Sequence, residues 1–95
     1  MAAVQRMGDA NDGGGTINSI PQSTVYVDSL LVCVDGSLGT SHDPCPLIVI
    51  HCAGNWVTSG GVSTVTAEGI PINVTGNSDT CGHSRIGGSS DVNIG

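Results

Sequence analysis

Three histidines and four cysteines give this 95-residue chain its capacity for metal chemistry. The stretch from Ser41 to Cys52, Ser-His-Asp-Pro-Cys-Pro-Leu-Ile-Val-Ile-His-Cys, holds two of the histidines and two of the cysteines. His42 and Cys45 stand before its short apolar run, and His51 and Cys52 stand after it. Cys81-Gly82-His83 supplies the third histidine, and Cys33 lies apart from both spots. We expect the two ligand-rich spots to close on one metal ion, with the rest of the chain a β scaffold that brings them together.

Other chemistries fit these residues less well. Ser41-His42-Asp43 are sequence neighbours, whereas the side chains of a catalytic triad converge from separate places. No Gly-x-Ser-x-Gly elbow is present. Gly13-Gly14-Gly15-Thr16 lacks the lysine of a phosphate-binding loop and reads as a flexible turn. The acidic residues are spread singly, the pattern of a solvated surface. Asn73-Val74-Thr75 matches a glycosylation triplet, but without a secretory signal it reads as chance. The chain is therefore not expected to be an enzyme.

The scaffold that positions the ligands must be small. A single domain over residues 1–95 buries only about 60–65% of its unfolded surface. With no Phe, one Tyr and one Trp, its core is thin, and chains of this kind usually need a staple. Only Arg6 and Arg85 oppose eight carboxylates. The net charge of -6 argues against nucleic acid, which is held by Lys and Arg, and against an anionic membrane surface. No apolar run approaches the ~20 residues of a membrane-spanning helix. The N-terminus lacks an apolar signal region, so the chain is expected to be made in the cytoplasm, where cysteine serves metals more often than disulfides.

Glycine and β-branched residues recur every few positions, which predicts short strands joined by turns. Helix content is expected near nil, with room for one turn near Asn11. An internal repeat runs at an offset of 40, with Ser23-Thr24-Val25 through Val34-Asp35-Gly36 lying over Ser63-Thr64-Val65 through Val74-Thr75-Gly76. The acidic residue is kept as Asp28 or Glu68. Upstream, Gly14, Ile17 and Ser19 meet Gly54, Val57 and Ser59. A truncated third copy closes the chain with Ile86 and Ser90-Asp91-Val92-Asn93-Ile94-Gly95. One such hairpin cannot bury its own apolar face, so the copies are expected to share a core around a common axis. Their linkers, one carrying His42 and His51 and the other Cys81 and His83, would then meet at an apex.

In these features the chain resembles the PAAR-repeat family, the tip proteins of contractile phage tails and type VI secretion spikes. The likeness rests on Arg6-Met7-Gly8-Asp9, the Gly-Gly-Thr-Ile that follows, the Ser-Thr-Val strands, and the Asp35-Gly36 and Glu68-Gly69-Ile70-Pro71 turns. It is densest from Asp79 to His83 and from Gly88 to Gly95. The Pro-Ala-Ala-Arg tetrapeptide itself is absent; Ser37-Leu38-Gly39-Thr40 and Ile70-Pro71-Ile72-Asn73 stand in its places. The resemblance implies an all-β, cone-shaped domain of hairpins with pseudo-three-fold repeats and zinc at the apex. It also implies a homotrimeric β-helical spike as partner, capped by one tip per trimer, and transient contact with a target outer membrane. The expected location is a virion tail, as baseplate spike, or the outside of the cell by way of a contractile injection machine. With no sequence left over for an effector, a phage-type tip is expected; an adaptor that docks cargo onto the spike, or a small zinc hydrolase, would be the alternatives.

A structural Zn2+ held by His42, His51, Cys81 and His83 uses all three histidines and one thiolate in a tetrahedral set with no open position for water. Cys45 is the rival ligand, since His42-Asp-Pro-Cys45 also has metal-like spacing. Cys52 points the other way from His51 on an extended strand and is expected in the core. Cys33, between two valines, is expected to be a buried small hydrophobe. A disulfide framework is the competing use of the cysteines, and it leaves the histidine clustering unexplained.

Overall fold

Glycine-bounded runs of β-branched residues make short strands, and the computed structural model, which describes residues 2–94, is all-β. Its strands are β1 (Ala2–Ala3), β2 (Ile17–Ser19), β3 (Tyr26–Val27), β4 (Leu30–Leu31), β5 (Leu38–Gly39), β6 (Val62–Ala67), β7 (Ile70–Ile72) and β8 (Asn93–Ile94). All pair antiparallel, β3 with β4, β6 with β7, β2 with β5, and β1 with β8. The last pairing joins the two ends of the chain, with Ala2 opposite Ile94. So the C-terminal strand, expected to stand as a truncated unit, takes its partner from the N-terminus.

No helical turn forms near Asn11. Its Oδ1 instead accepts from the amides of Gly13 and Gly15, at 3.0 and 2.9 Å, and such side-chain bonds compete with the helix. The described residues contain one 3-10 turn, Val49–His51.

Three backbone segments close on one another in a ring. The Gln5 amide donates to the Asn73 carbonyl at 3.0 Å, Asn73 to Cys33 at 2.9 Å, and Cys33 back to Gln5 at 2.9 Å. A second set joins the same three segments in the opposite sense, from Met7 to Leu31, Asp35 to Pro71, and Thr75 to Ala3. Each segment then turns through a glycine, Gly8, Gly36 or Gly76, with φ of +89, +87 and +94°. That left-handed backbone strongly favours glycine. The three glycine amides donate in parallel fashion to Ile17, Thr58 and Arg85, each at 2.9 Å.

The β3–β4 and β6–β7 hairpins turn through Asp28-Ser29 and Glu68-Gly69, all with positive φ, the geometry of a type I′ turn. Their carboxylates tie neighbouring segments down. Asp28 accepts from Ser89 Oγ at 2.6 Å and Arg6 Nη1 at 2.9 Å, while Glu68 accepts from Thr24 Oγ1 at 2.6 Å and the Ser23 amide at 2.9 Å.

Inside the ring, Val4, Val32, Val34, Ala67, Ile72 and Val74 form one aliphatic core. Ile17, Cys33 and Trp56 form a second. Cys33 is fully buried as expected, and burial pushes its thiol pKa up to about 11. The acidic residues are not all solvated, however. Asp79 is buried against Arg85, with Oδ2 2.8 Å from Nη1, and Asn11 Nδ2 donates to the same oxygen at 2.8 Å. Arg85 is otherwise satisfied by Gln5 Oε1 and the Asp9 carbonyl. The principal dimensions are 35 × 23 × 23 Å.

Candidate metal centre

Trp56 joins the scaffold to the ligand residues. Its indole packs with Ile17 and Cys33, its Nε1 donates to the Thr40 carbonyl at 3.2 Å, and its ring meets His42 edge to face at 5.3 Å. His42 follows β5 by three residues, and its amide donates to the His51 carbonyl at 3.1 Å, closing the neck of the loop between them. His51 ends the 3-10 turn. Cys81 and His83 sit on a tight turn in which the Gly82 amide donates to the Asp79 carbonyl and the Asp79 amide to the His83 carbonyl. The buried Asp79–Arg85 pair therefore anchors the turn that presents both residues.

All four expected ligands come together. One donor atom from each of His42, His51, Cys81 and His83 lies within 4.8 Å of every other. The three imidazoles form an almost equilateral triangle, with centroids 5.1, 5.0 and 5.0 Å apart. His51 Nδ1 is 3.1 Å from His42 Nε2, and Cys81 Sγ is 3.7 Å from that same nitrogen. Nitrogens as close as the first pair need a proton or a cation between them.

The outer nitrogens fix which atoms face inward. His42 Nδ1 lies 3.2 Å from the Thr40 carbonyl, and a carbonyl only accepts, so Nδ1 carries the proton and Nε2 offers a lone pair. His83 Nδ1 lies 2.9 Å from Asp12 Oδ1 by the same logic. Its inward Nε2 is buried with no hydrogen-bond partner. Metal-bound histidines are oriented in this manner, by a carbonyl or carboxylate on the second nitrogen. Burial, and then the neighbouring His83 and His42, lower the pKa of His51 and favour its neutral, ligating form. The cluster can hold a metal ion.

Sequence reasoning missed the supporting residues. A Cβ at Gly13 would stand 2.4 Å from His83 Nε2, and one at Gly15 would stand 2.6 Å from His42 Nδ1. The glycine run is thus a close-packed wall of the cluster rather than a flexible turn. Nothing in the sequence marks the Thr40 carbonyl, and Asp12 looks like any turn carboxylate.

Two cysteine expectations are corrected. Cys45 is bonded to Cys52 in a disulfide across the loop, with Cα atoms 5.1 Å apart. Cys45 is therefore no rival ligand, and Cys52 is only half-buried rather than in the core. The 3-10 turn folds the run between them back on itself, which brings the two thiols to bonding distance. Disulfide and ligand cluster coexist because they use different cysteines; Cys33 and Cys81 remain free. No protein-family model matches the chain, and a search of curated proteins finds no match either.

Proposed function

We propose that the chain is a structural tip of the PAAR-repeat kind, a zinc-stapled cone that caps a homotrimeric β-helical spike and leads it through a target envelope. The observation that carries this reading is the closed cycle of hydrogen bonds through Gln5, Asn73 and Cys33. Three segments of one chain bonded in a cycle would give a monomer the pseudo-three-fold arrangement that matching a three-fold partner needs. Two equal short dimensions and three glycine turns of like conformation support the same reading. So does the β1–β8 pairing, which joins the two chain ends in a further antiparallel strand pair.

Zinc suits the donor set of three imidazoles and one thiolate. With bonds of about 2.0–2.3 Å, a tetrahedral zinc site sets its donors about 3.3–3.6 Å apart. The 3.1 and 3.7 Å separations here bracket that range. Four protein ligands fill the coordination sphere, so the zinc would staple loops together and leave no position for an activated water. The reading is accordingly structural and not enzymatic. The β3–β4 hairpin with Tyr26 and Leu30, and Val92 just before β8, all exposed, would form the broad base against the spike.

The test is stoichiometry. Mixed with a trimeric β-helical spike and sized by light scattering, the chain should bind as one copy per trimer. Three copies per trimer would overturn the capping geometry. Because no Lys and no unpaired Arg lies on the described base strands, the affinity should change little with salt.

A further inference from the structure

The disulfide-closed loop presents a feature that neither the ligands nor the scaffold requires. Leu47, Ile48, Val49 and Ile50 are 91, 53, 62 and 41% exposed, four aliphatic side chains in a row. The neck of this loop is tied three times, by the Cys45–Cys52 disulfide, by the His42 amide to the His51 carbonyl, and by the Ala53 amide to Ser41 Oγ. A loop so constrained is an apolar knob of fixed shape, and it projects from the metal-ligand end. We propose that residues 47–50 are a lipid-inserting element, built to enter the hydrocarbon of an uncharged, zwitterionic bilayer. This inference rests on the tip reading and makes its membrane contact specific.

Two observations favour lipid over another occupant, and a third sets the depth of insertion. The first is direction. Successive side chains of the loop are all exposed, so the apolar surface faces several ways around the turn. A protein groove reads one face of an element, whereas fluid hydrocarbon accommodates a convex knob from every side. Depth is set by the backbone. Hydrocarbon accepts only chain whose polar groups are satisfied internally. Here the Ile48 amide donates to Pro44, His51 to Ile48, Cys52 to Val49 and Cys45 to His42. The amides of Leu47, Val49 and Ile50 meet no acceptor among the described residues, so the aliphatic side chains enter the hydrocarbon while that backbone stays at headgroup level. Asn55 Nδ2 caps the Val49 carbonyl a second time, and Pro44 and Pro46 have no amide hydrogen to satisfy. The second observation in favour of lipid is charge. Residues 44–50 carry none, and both arginines are engaged, Arg6 by Asp9 and Asp28 and Arg85 by Asp79. Anionic headgroups would thus find no free Lys or Arg among the described residues, and a second copy, also at -6, would be repelled.

Flotation of the full, metal-loaded chain with pure phosphatidylcholine vesicles tests the proposal. The wild type should float with the vesicles, to an extent that salt does not reduce. The double variant Leu47→Ser, Val49→Ser should partition at least roughly tenfold less, as expected from two exposed aliphatic side chains that would be buried in lipid. Its metal content should be unchanged, because neither residue is a ligand. Leu47→Trp should retain binding and add a blue-shifted emission in vesicles. No flotation of the wild type overturns the proposal, as does equal flotation of the double variant. Flotation only with phosphatidylglycerol, abolished by salt, overturns it in favour of headgroup binding. A wild-type dimer that the double variant makes monomeric, without flotation, overturns it in favour of a second copy. A chain that caps the trimeric spike but ignores vesicles loses this inference alone; a chain that floats but caps no spike loses the tip reading.

Discussion

The hairpin end and the ligand end of this molecule are held by different physics. Around the ring, backbone bonds and the valine-rich core carry most of the packing, with Val32 and Val34 wholly buried, although Gln5, Gln22 and Asn73 add buried polar bonds there. Burial of that kind is non-directional and tolerates exchange among aliphatic residues of similar volume. At the ligand end the buried residues include His42, His51, Asn11, Asp79 and Arg85. Their contacts are directional, and each loses its value when one partner is removed. The lesson is that a chain without phenylalanine can build one end from β-branched residues. The loops at its other end it must fasten through specific polar pairs, a disulfide and a ligand cluster.

On the proposed zinc reading, removing the metal is the strongest way to break that comparison. Structural zinc contributes on the order of 10 kcal/mol of apparent binding energy in small folds, comparable with the whole stability of a domain. Chelation, or His83→Ala, should therefore remove bound metal and lower the melting temperature steeply. Cys33→Ser should leave metal content unchanged. Hydrogen exchange on chelated protein should show fast amides at Gly15 and Ala53 while Gln5, Cys33 and Asn73 stay slow. If all five exchange alike, the two ends are one cooperative unit and the contrast fails. Elemental analysis that finds no transition metal in pure wild-type protein would remove the zinc reading itself.

A smaller effect should come from the buried ion pair beneath the cluster. Asp79→Asn leaves Arg85 charged, buried and without its carboxylate, and broken pairs of this kind cost about 3–5 kcal/mol. Because the Asp79 side-chain pair with Arg85 and Asn11 anchors the turn carrying Cys81 and His83, metal affinity should fall together with stability. A variant with normal metal affinity and lowered stability would show that the turn holds its shape without the pair.

How much of this was legible in the residues follows from the same contrast. The strand character was readable because glycine and β-branched residues alternate locally. The four clustered residues were readable because histidine is scarce and each copy fell in one of two spots. The β1–β8 pairing was hidden, since Ala2 and Ile94 meet across almost the entire chain and Ala2-Ala3-Val4 carries no turn signal. The disulfide was hidden for another reason. Four cysteines and three histidines can be shared between bonds and ligands in several ways, and only the fold of the 47–50 loop decides. Asp79 looked solvated because a lone carboxylate near glycines usually is, and its partner Arg85 gains meaning only once both are buried.

The smallest expected effect sharpens the comparison at the hairpin end, where acid should act through turn carboxylates rather than ligands. Bonds from Thr24 Oγ1 and then the Ser23 amide hold the Glu68 carboxyl below its usual pKa. A carboxylate depressed in the folded state stabilises the fold fully above its unfolded pKa of about 4.3, and that contribution is lost as pH falls through the folded value. Glu68→Gln keeps an oxygen acceptor on the same turn but cannot titrate. The wild type should therefore melt slightly higher than the variant near pH 6, and the gap should close by about pH 3. Asp28, lowered chiefly by the Ser89 hydroxyl and then by Arg6, titrates in both proteins and cancels from the difference. Metal release at low pH cancels likewise, because Glu68 does not touch the ligand cluster. A gap that stays constant from about pH 6 to about pH 3 would mean that Glu68 acts through its turn conformation and not through its charge.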